Sequence, residues 1–157
     1  MNTYTYDAAN RLKTLSNQQS TTTYGYNGFG NRLTQNGTHY TLDLNAGPTQ
    51  VLNDGTNQYL YGVGRIAQVN TTTLITDYFL TDALGSVRQL TSPSGAITYA
   101  RAYDPYGVVT QSAGSAQTSY GFTGELTDPS GMTYLRARYY APNDGRRLSK
   151  LTSLLPP

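Results

Sequence analysis

The chain has 157 residues, of which 37% are apolar, and it contains 15 tyrosines but no cysteine. Eleven basic and nine acidic residues leave a formal charge of +2, too weak a field to indicate a nucleic acid or an anionic membrane as a partner. The lack of cysteine excludes disulfides, thiolate nucleophiles and Cys-ligated metals. Tyrosine rings are therefore expected to supply much of the buried area.

A repeated unit occupies the first part of the chain. Tyr4-Thr5-Tyr6-Asp7 and the following Asn10-Arg11-Leu12 recur as Tyr24-Gly25-Tyr26-Asn27 and Asn31-Arg32-Leu33. A unit of this size is one hairpin, which cannot bury its own face and must stack on its neighbours. The repeat therefore predicts an all-β fold, a curled or solenoid-like antiparallel sheet.

Short alternating segments rich in Tyr, Thr, Val and Ile continue along the chain, and no segment shows a sustained helical period. Tight turns are predicted at Asn36-Gly37, Asp54-Gly55, Ser94-Gly95 and Ser130-Gly131. The segment from Asp7 to Leu15 is interpreted as a turn plus a strand. Further strands are predicted near residues 21–26, 38–44, 57–62, 65–70, 73–81, 86–91, 96–103, 118–123 and 132–140.

Three later motifs carry a family resemblance. They are Asp82-Ala83-Leu84-Gly85-Ser86-Val87-Arg88, then Tyr103-Asp104-Pro105-Tyr106-Gly107, and then Phe122-Thr123-Gly124-Glu125 followed by Tyr139-Tyr140, Pro142 and Gly145-Arg146. With the repeats they resemble the YD repeats and repeat-associated core of the rearrangement-hotspot (Rhs) proteins, teneurins and the C component of insecticidal Tc toxins. The resemblance covers residues 4 to 149. The positions to which it assigns a structural role are Tyr6, Asp7, Tyr26, Asn31, Arg32, Asp82, Leu84, Gly85, Ser86, Arg88, Tyr103, Asp104, Pro105, Gly107, Phe122, Gly124, Gly131, Arg136, Arg138, Tyr139, Tyr140, Pro142, Gly145 and Arg146.

The resemblance implies a bacterial polymorphic toxin in which many repeats form a hollow β shell around a C-terminal toxin or effector domain. The core signature closes one end of that shell, and a self-cleavage site and the toxic domain follow it. On this basis we predict YD-repeat hairpins over 1–75, the repeat-associated core over 76–149 and a tail outside the family pattern over 150–157. Proteins of this family are secreted or lie on the cell surface.

The sequence departs from the family pattern after Gly145-Arg146. The Asp-Pro pair that usually follows is missing, and neither a cleavage segment nor a toxin comes after it. We therefore expect the last turns of a shell or a truncated gene product, with the toxin domain and the other shell repeats as its partners. The chain shows no signal peptide and no apolar run long enough to span a membrane, which leaves its localisation unknown and predicts no export route of its own.

The residues that could suggest a catalytic or metal site have structural explanations. A Ser-His-Asp arrangement would have to use His39, the only histidine, and the sequence lacks a nucleophile elbow, so His39 is predicted to lie on a strand surface. Asp82, Asp104 and the Asp128-Pro129-Ser130-Gly131 segment are predicted to form turns. The acidic residues are too dispersed to predict a metal site, and nothing in the sequence indicates a cofactor.

The densest basic run comprises Arg136, Arg138, Arg146, Arg147 and Lys150, interleaved with tyrosines. Such a run could stack on single-stranded nucleic acid. Strand alternation instead places Tyr134, Arg136, Arg138 and Tyr140 on one face, which predicts arginines held between tyrosines on a sheet.

The sequence thus predicts a non-catalytic wall that encloses a toxin. Two alternatives stay open at this point. One is an adhesion module whose exposed tyrosines bind a carbohydrate or protein surface. The other is an inactive remnant of a longer gene.

Overall fold

The computed structural model describes residues 2–148, and within them the chain is all-β. The strands form three antiparallel sheets, with two short 3₁₀ segments between strands near the C-terminal end. The predicted antiparallel β fold is therefore confirmed. The predicted tail over 150–157 lies outside the described residues.

The first sheet contains the two repeats identified in the sequence. Its strands follow chain order, so each pairs with the next through a hairpin. They are β1 (Thr3–Tyr6), β2 (Leu12–Ser16), β3 (Thr21–Tyr26), β4 (Arg32–Gln35) and β5 (Thr38–His39).

The second sheet is the largest and has eight strands, again in chain order. In this sheet the strand over 65–70 pairs with the strand over 76–81, so the sheet continues through the boundary predicted between 1–75 and 76–149. That division stays a prediction. The strands are β6 (Thr41–Asp43), β7 (Gln50–Asn53), β8 (Asn57–Tyr61), β9 (Arg65–Asn70), β10 (Thr76–Thr81), β11 (Val87–Thr91), β12 (Ile97–Tyr103) and β13 (Val109–Gly114).

The third sheet is made of short strands from the C-terminal part of the chain. They are β14 (Leu126–Thr127), β15 (Thr133–Tyr134), β16 (Tyr139–Ala141) and β17 (Arg146–Leu148), with 3₁₀ segments at Phe122–Gly124 and Pro142–Asp144. Two strand predictions are wrong here. Residues 118–123 form a single bridge at Tyr120 before the 3₁₀ segment, and 132–140 is two strands separated by a turn in which Arg136 has φ +58°.

One turn design closes six of the hairpins. In each five-residue unit the N–H of the first residue donates to the carbonyl of the fifth residue. The carbonyl of the first residue accepts the N–H of the fourth residue, and the fourth residue has a positive φ. That fourth residue is Asn10 in the first unit and glycine in the others. The units are residues 7–11, 27–31, 82–86, 92–96, 104–108 and 128–132.

Side chains reinforce four of these turns. Oδ1 of Asp82 accepts the N–H groups of Leu84 and Ser86, and Oδ1 of Asp104 accepts those of Tyr106 and Val108. Asp7 and Asn27 bind their own turns in the same way. Turn formation was the role predicted for Asp82 and Asp104, and it explains why an Asp or Asn recurs at the end of these strands.

A single core runs through all three sheets. Leu90 and Val87 in the large sheet are almost fully buried, and Leu12 and Leu15 from the first sheet join them. The C-terminal segment, from Ser119 onward, contributes five further side chains to the core cluster, which are Tyr120, Leu126, Met132, Tyr134 and Tyr139. The C-terminal segment therefore covers the buried face of the other two sheets, and this contact assembles the candidate site.

Candidate functional site

Arg32 opens β4 directly after the turn over 27–31, whereas Arg11, the arginine of the preceding Asn-Arg-Leu motif, is the last residue of its own turn over 7–11. Arg11 is partly exposed and bonds to the aspartate of its own turn, with Nε of Arg11 2.6 Å from Oδ2 of Asp7. The second repeat has Asn27 in place of that aspartate. Arg32 therefore lacks a local carboxylate and pairs with one far along the chain.

The partner of Arg32 is Asp128, the first residue of the last repeated turn. Nη1 of Arg32 lies 2.7 Å from Oδ1 of Asp128, and both side chains are about 1% exposed. Unlike Asp82 and Asp104, the Asp128 carboxylate directs its bonds away from its own turn, and its Oδ2 accepts the Tyr24 hydroxyl at 2.8 Å. The turn predicted over 128–131 is present, but sequence reasoning missed the buried ion pair.

Four tyrosine rings surround the Arg32 guanidinium. Its Cζ lies 4.4 Å from the ring centroid of Tyr134, 5.3 Å from Tyr40, 5.8 Å from Tyr24 and 6.0 Å from Tyr139. The Tyr134 hydroxyl also accepts the backbone N–H of Arg32 at 3.0 Å. We call Arg32, Asp128 and these four tyrosines the arginine clasp, because it joins β3 and β4 to the C-terminal sheet.

The electrostatics of the clasp favour a charged guanidinium and neutral phenols. Burial by itself lowers the pKa of Arg32, but the Asp128 carboxylate and the surrounding tyrosine oxygens outweigh that effect, so the pKa is raised. Burial, reinforced by Asp128, raises the pKa of Tyr24 well above its usual range. Burial likewise raises the pKa of Tyr40 to about 12, partly offset by Arg32.

Alkaline pH is expected to unfold the protein cooperatively. The folded-state pKa of Tyr40 is about 12, above the value of about 10 for an exposed tyrosine, so the unfolded state releases its proton first. The stabilisation is complete below about pH 10 and is lost as the pH rises towards about 12. Tyrosinate absorbance and circular dichroism, recorded together, should show the buried tyrosines ionising with loss of structure. Ionisation of those tyrosines in a protein that keeps its native spectrum would contradict this prediction.

A second buried cluster fastens the C-terminal segment to the large sheet. Oδ2 of Asp54 accepts the hydroxyls of Tyr59 at 2.5 Å and Ser119 at 2.9 Å, and its Oδ1 accepts the N–H groups of Thr56 and Asn57. The ring of Tyr59 packs edge-on against Tyr120 with centroids 4.8 Å apart. We call Asp54, Tyr59, Ser119 and Tyr120 the Asp54 cluster.

Arg65 extends this contact. Its Cζ lies 3.0 Å from the ring centroid of Tyr120, and its Nη2 donates to the carbonyl of Gly124 at 3.2 Å. Arginine stacked on tyrosine therefore does occur in this protein, at the contact between the C-terminal segment and the large sheet.

Three sequence motifs meet at a further junction. The backbone N–H of Thr123 donates to Oγ of the fully buried Ser86 at 3.0 Å. A Cβ on Gly124 would lie 2.8 Å from the carbonyl oxygen of Gly85, and one on Gly107, where φ is +92°, would lie 2.5 Å from the ring of Phe122. Gly107 and Gly124 are thus favoured by close packing as well as by their positive φ, whereas Gly85 is favoured by its φ of +82°.

Tyrosines support the same junction. The Tyr103 hydroxyl donates to the carbonyl of Val87 at 3.1 Å, and its ring lies 5.7 Å from that of Phe122 and under the guanidinium of Arg88. The structure therefore gathers Gly85, Ser86, Arg88, Tyr103, Gly107, Phe122 and Gly124 in one place.

Other predicted positions lie elsewhere. The Tyr26 hydroxyl donates to the backbone carbonyl of Leu12, and the Tyr140 hydroxyl donates to the backbone carbonyl of Tyr106. Pro142 begins a 3₁₀ segment that ends at Gly145 with φ +61°. Four predicted positions are exposed, at turns or on β17: Leu84, Pro105, Arg138 and Arg146. Gly131 lies in the turn over 128–132, where its φ is +80°.

The predicted arginine face over 134–140 is wrong. The turn between β15 and β16 places Tyr134 and Tyr139 on the same buried side, with centroids 5.1 Å apart. Arg136 instead pairs with Glu125 at 3.0 Å, and Arg138 is exposed. Arg32, outside this segment, is the arginine that four tyrosine rings surround. The one sequence signal that could have indicated it is Asn27, which removes the local partner that Asp7 provides in the first repeat.

The residues considered for catalysis lie in different environments. His39 is exposed on β5, as predicted, whereas the Ser86 side chain is buried and accepts a backbone hydrogen bond. Residues 2–148 contain no cluster of three or more His, Asp or Glu that could hold a metal ion. No helix in that range has the length and apolar character needed to cross a membrane.

No protein-family model matches the chain, and a search of curated proteins finds no match. Solved structures do match it. The crystal structures of TcdB2-TccC3 and of TcdB2-TccC3-Cdc42 align over 94% of this chain, with TM-scores of 0.71 and 0.72 and identities of 19% and 18%. The Photorhabdus luminescens Tc holotoxin pore aligns with a TM-score of 0.67 at 18% identity over the same share.

The chain has an Rhs-type fold. It spans 9% of the length of each of those Tc toxin chains. In this Rhs-type fold the arginine clasp, the Asp54 cluster and the motif junction each attach the C-terminal segment to the hairpin sheets.

Proposed function

We propose that this chain is part of the wall of an Rhs-like shell, with YD-repeat hairpins followed by a repeat-associated core, and that it encloses a toxin domain without acting as an enzyme. The observation that carries the proposal is the arginine clasp. A buried ion pair ringed by tyrosines joins the second hairpin repeat to the C-terminal segment. Such a contact suits a wall that has to stay closed.

The distribution of tyrosines supports a wall over an adhesion surface. Of the 15 tyrosines, only Tyr78 and Tyr106 are exposed, and the others are partly or fully buried. A platform that binds carbohydrate or protein through tyrosine rings needs several of them on one open face. Here most rings pack between layers and offer no such face.

A graft into a larger shell tests this function. The segment of TcdB2-TccC3 that aligns with this chain is replaced by residues 2–148, and a protease-sensitive reporter peptide follows the C-terminal segment. We expect the reporter to resist an added protease until the protein is denatured. Arg32→Met in the graft should make it sensitive, whereas Arg11→Met, in the first Asn-Arg-Leu motif, should leave it resistant. A folded graft whose reporter is cut as fast as the free peptide would refute the enclosing role.

A further inference from the structure

The last strand of the large sheet, β13, has an open edge. Within residues 2–148 it pairs only with β12, and all six of its residues are exposed. An unpaired edge presents a row of N–H and C=O groups that can pair with another strand. Proteins usually protect such an edge with charges, proline, a bulge or a covering segment.

The composition of β13 provides no protecting charge or proline, and the register shift of this strand against β12 is confined to Thr110, so Gln111 to Gly114 form a regular edge. Its sequence Val-Thr-Gln-Ser-Ala-Gly has no charged residue and no proline. By contrast, the edge strand β17 is only three residues long and carries Arg146 and Arg147. Of these two edges, β13 is the one that another strand can approach without meeting a charge.

We propose that β13 is a self-association surface, on which a second copy of this chain pairs its own β13 in antiparallel orientation. A two-fold axis makes each strand the partner of an identical strand, so the contact is closed and joins two eight-stranded sheets. Because β13 is uncharged and the chain carries only +2, electrostatic repulsion between the copies is small.

The size of the contact sets the expected strength. One six-residue strand forms a small interface, and small interfaces are typical of weak, reversible association. The dimer should therefore appear with increasing concentration in the micromolar range. This pairing goes beyond the shell proposal, because it concerns the exposed edge of the large sheet, whereas the arginine clasp is buried.

Analytical ultracentrifugation tests the proposal with a matched pair of charge variants. Gln111→Lys places a cation in the middle of β13, and Gln58→Lys places the same charge on an exposed position of β8, which has a neighbour on both sides. We expect the wild type and Gln58→Lys to approach twice the 17.1 kDa mass of one chain, and Gln111→Lys to stay monomeric. A wild type that is monomeric throughout the range overturns the proposal, as does equal behaviour of the two variants.

A distance measurement distinguishes this pairing from dimerisation elsewhere. The chain has no cysteine, so a nitroxide can be attached at one introduced position. A label on Ser112→Cys should lie close to its copy across the two-fold axis, and one on Ser20→Cys, in the turn between β2 and β3, should lie far from its copy. A dimer in which the Ser112 labels are far apart uses another surface and overturns the proposal.

Discussion

Arg32→Met is expected to lower the free energy of unfolding by about 3 to 5 kcal/mol, because it leaves the Asp128 carboxylate buried without a cation. Asp128 would keep the Tyr24 hydroxyl as a donor, but a neutral donor does not offset the cost of a buried charge. Urea unfolding followed by circular dichroism measures the change.

Two further variants identify the cause of that loss. Arg11→Met removes the arginine of the first Asn-Arg-Leu motif, whose pair with Asp7 is partly exposed, so a much smaller effect is expected. Arg32→Met combined with Asp128→Asn removes both charges and should recover most of the stability. A double variant no more stable than Arg32→Met alone would contradict the assignment of the loss to an unpaired charge.

Asp54→Ala should have the second-largest effect, a loss of at least about 2 kcal/mol. The substitution leaves the Tyr59 hydroxyl and the Asn57 N–H buried without an acceptor, and each such group costs about 1 to 3 kcal/mol. The same unfolding measurement applies. The contact with Ser119 is lost as well, so the C-terminal segment should become more sensitive to limited proteolysis.

Asp104→Ala is the matched control for Asp54→Ala. Asp104 also accepts two backbone N–H groups of its own turn, those of Tyr106 and Val108, but it has no side-chain partner among the described residues, and Tyr106 is exposed. We expect a small loss and no change in proteolysis of the C-terminal segment. Equal losses for the two aspartates would mean that the turn bonds, and not the buried hydroxyls, account for the effect of Asp54.

The two largest effects concern the same structural feature. Arg32 and Asp54 belong to different sheets, and both bind the C-terminal segment, through Asp128 and Ser119. The motif junction adds a third attachment through Ser86 and Thr123. We therefore expect the C-terminal segment to unfold together with the hairpin sheets.

Local features were predictable from the sequence. The positive φ at Gly37, Gly55, Gly95 and Gly131 follows from turn dipeptides, because glycine adopts that conformation without strain. Many strands also lie close to their predicted positions, and β3 and β9 have the predicted bounds. The error over 132–140 arose because alternation fits a continuous strand as well as two strands whose turn contains Arg136.

By itself, the sequence determined the all-β class, the repeated hairpin and the turns that close it, since each depends on neighbouring residues whose steric and hydrogen-bonding preferences act over a few bonds. Only the tertiary structure decided which side chains form the site. Arg32 and Asp128 are 96 residues apart, and Asp54 and Ser119 are 65 residues apart. Both pairs meet only after the C-terminal segment covers the sheets. No local pattern encodes the pairing of Arg32 with Asp128. Water can solvate both charges until the layers pack, and only then does burial make each charge depend on the other.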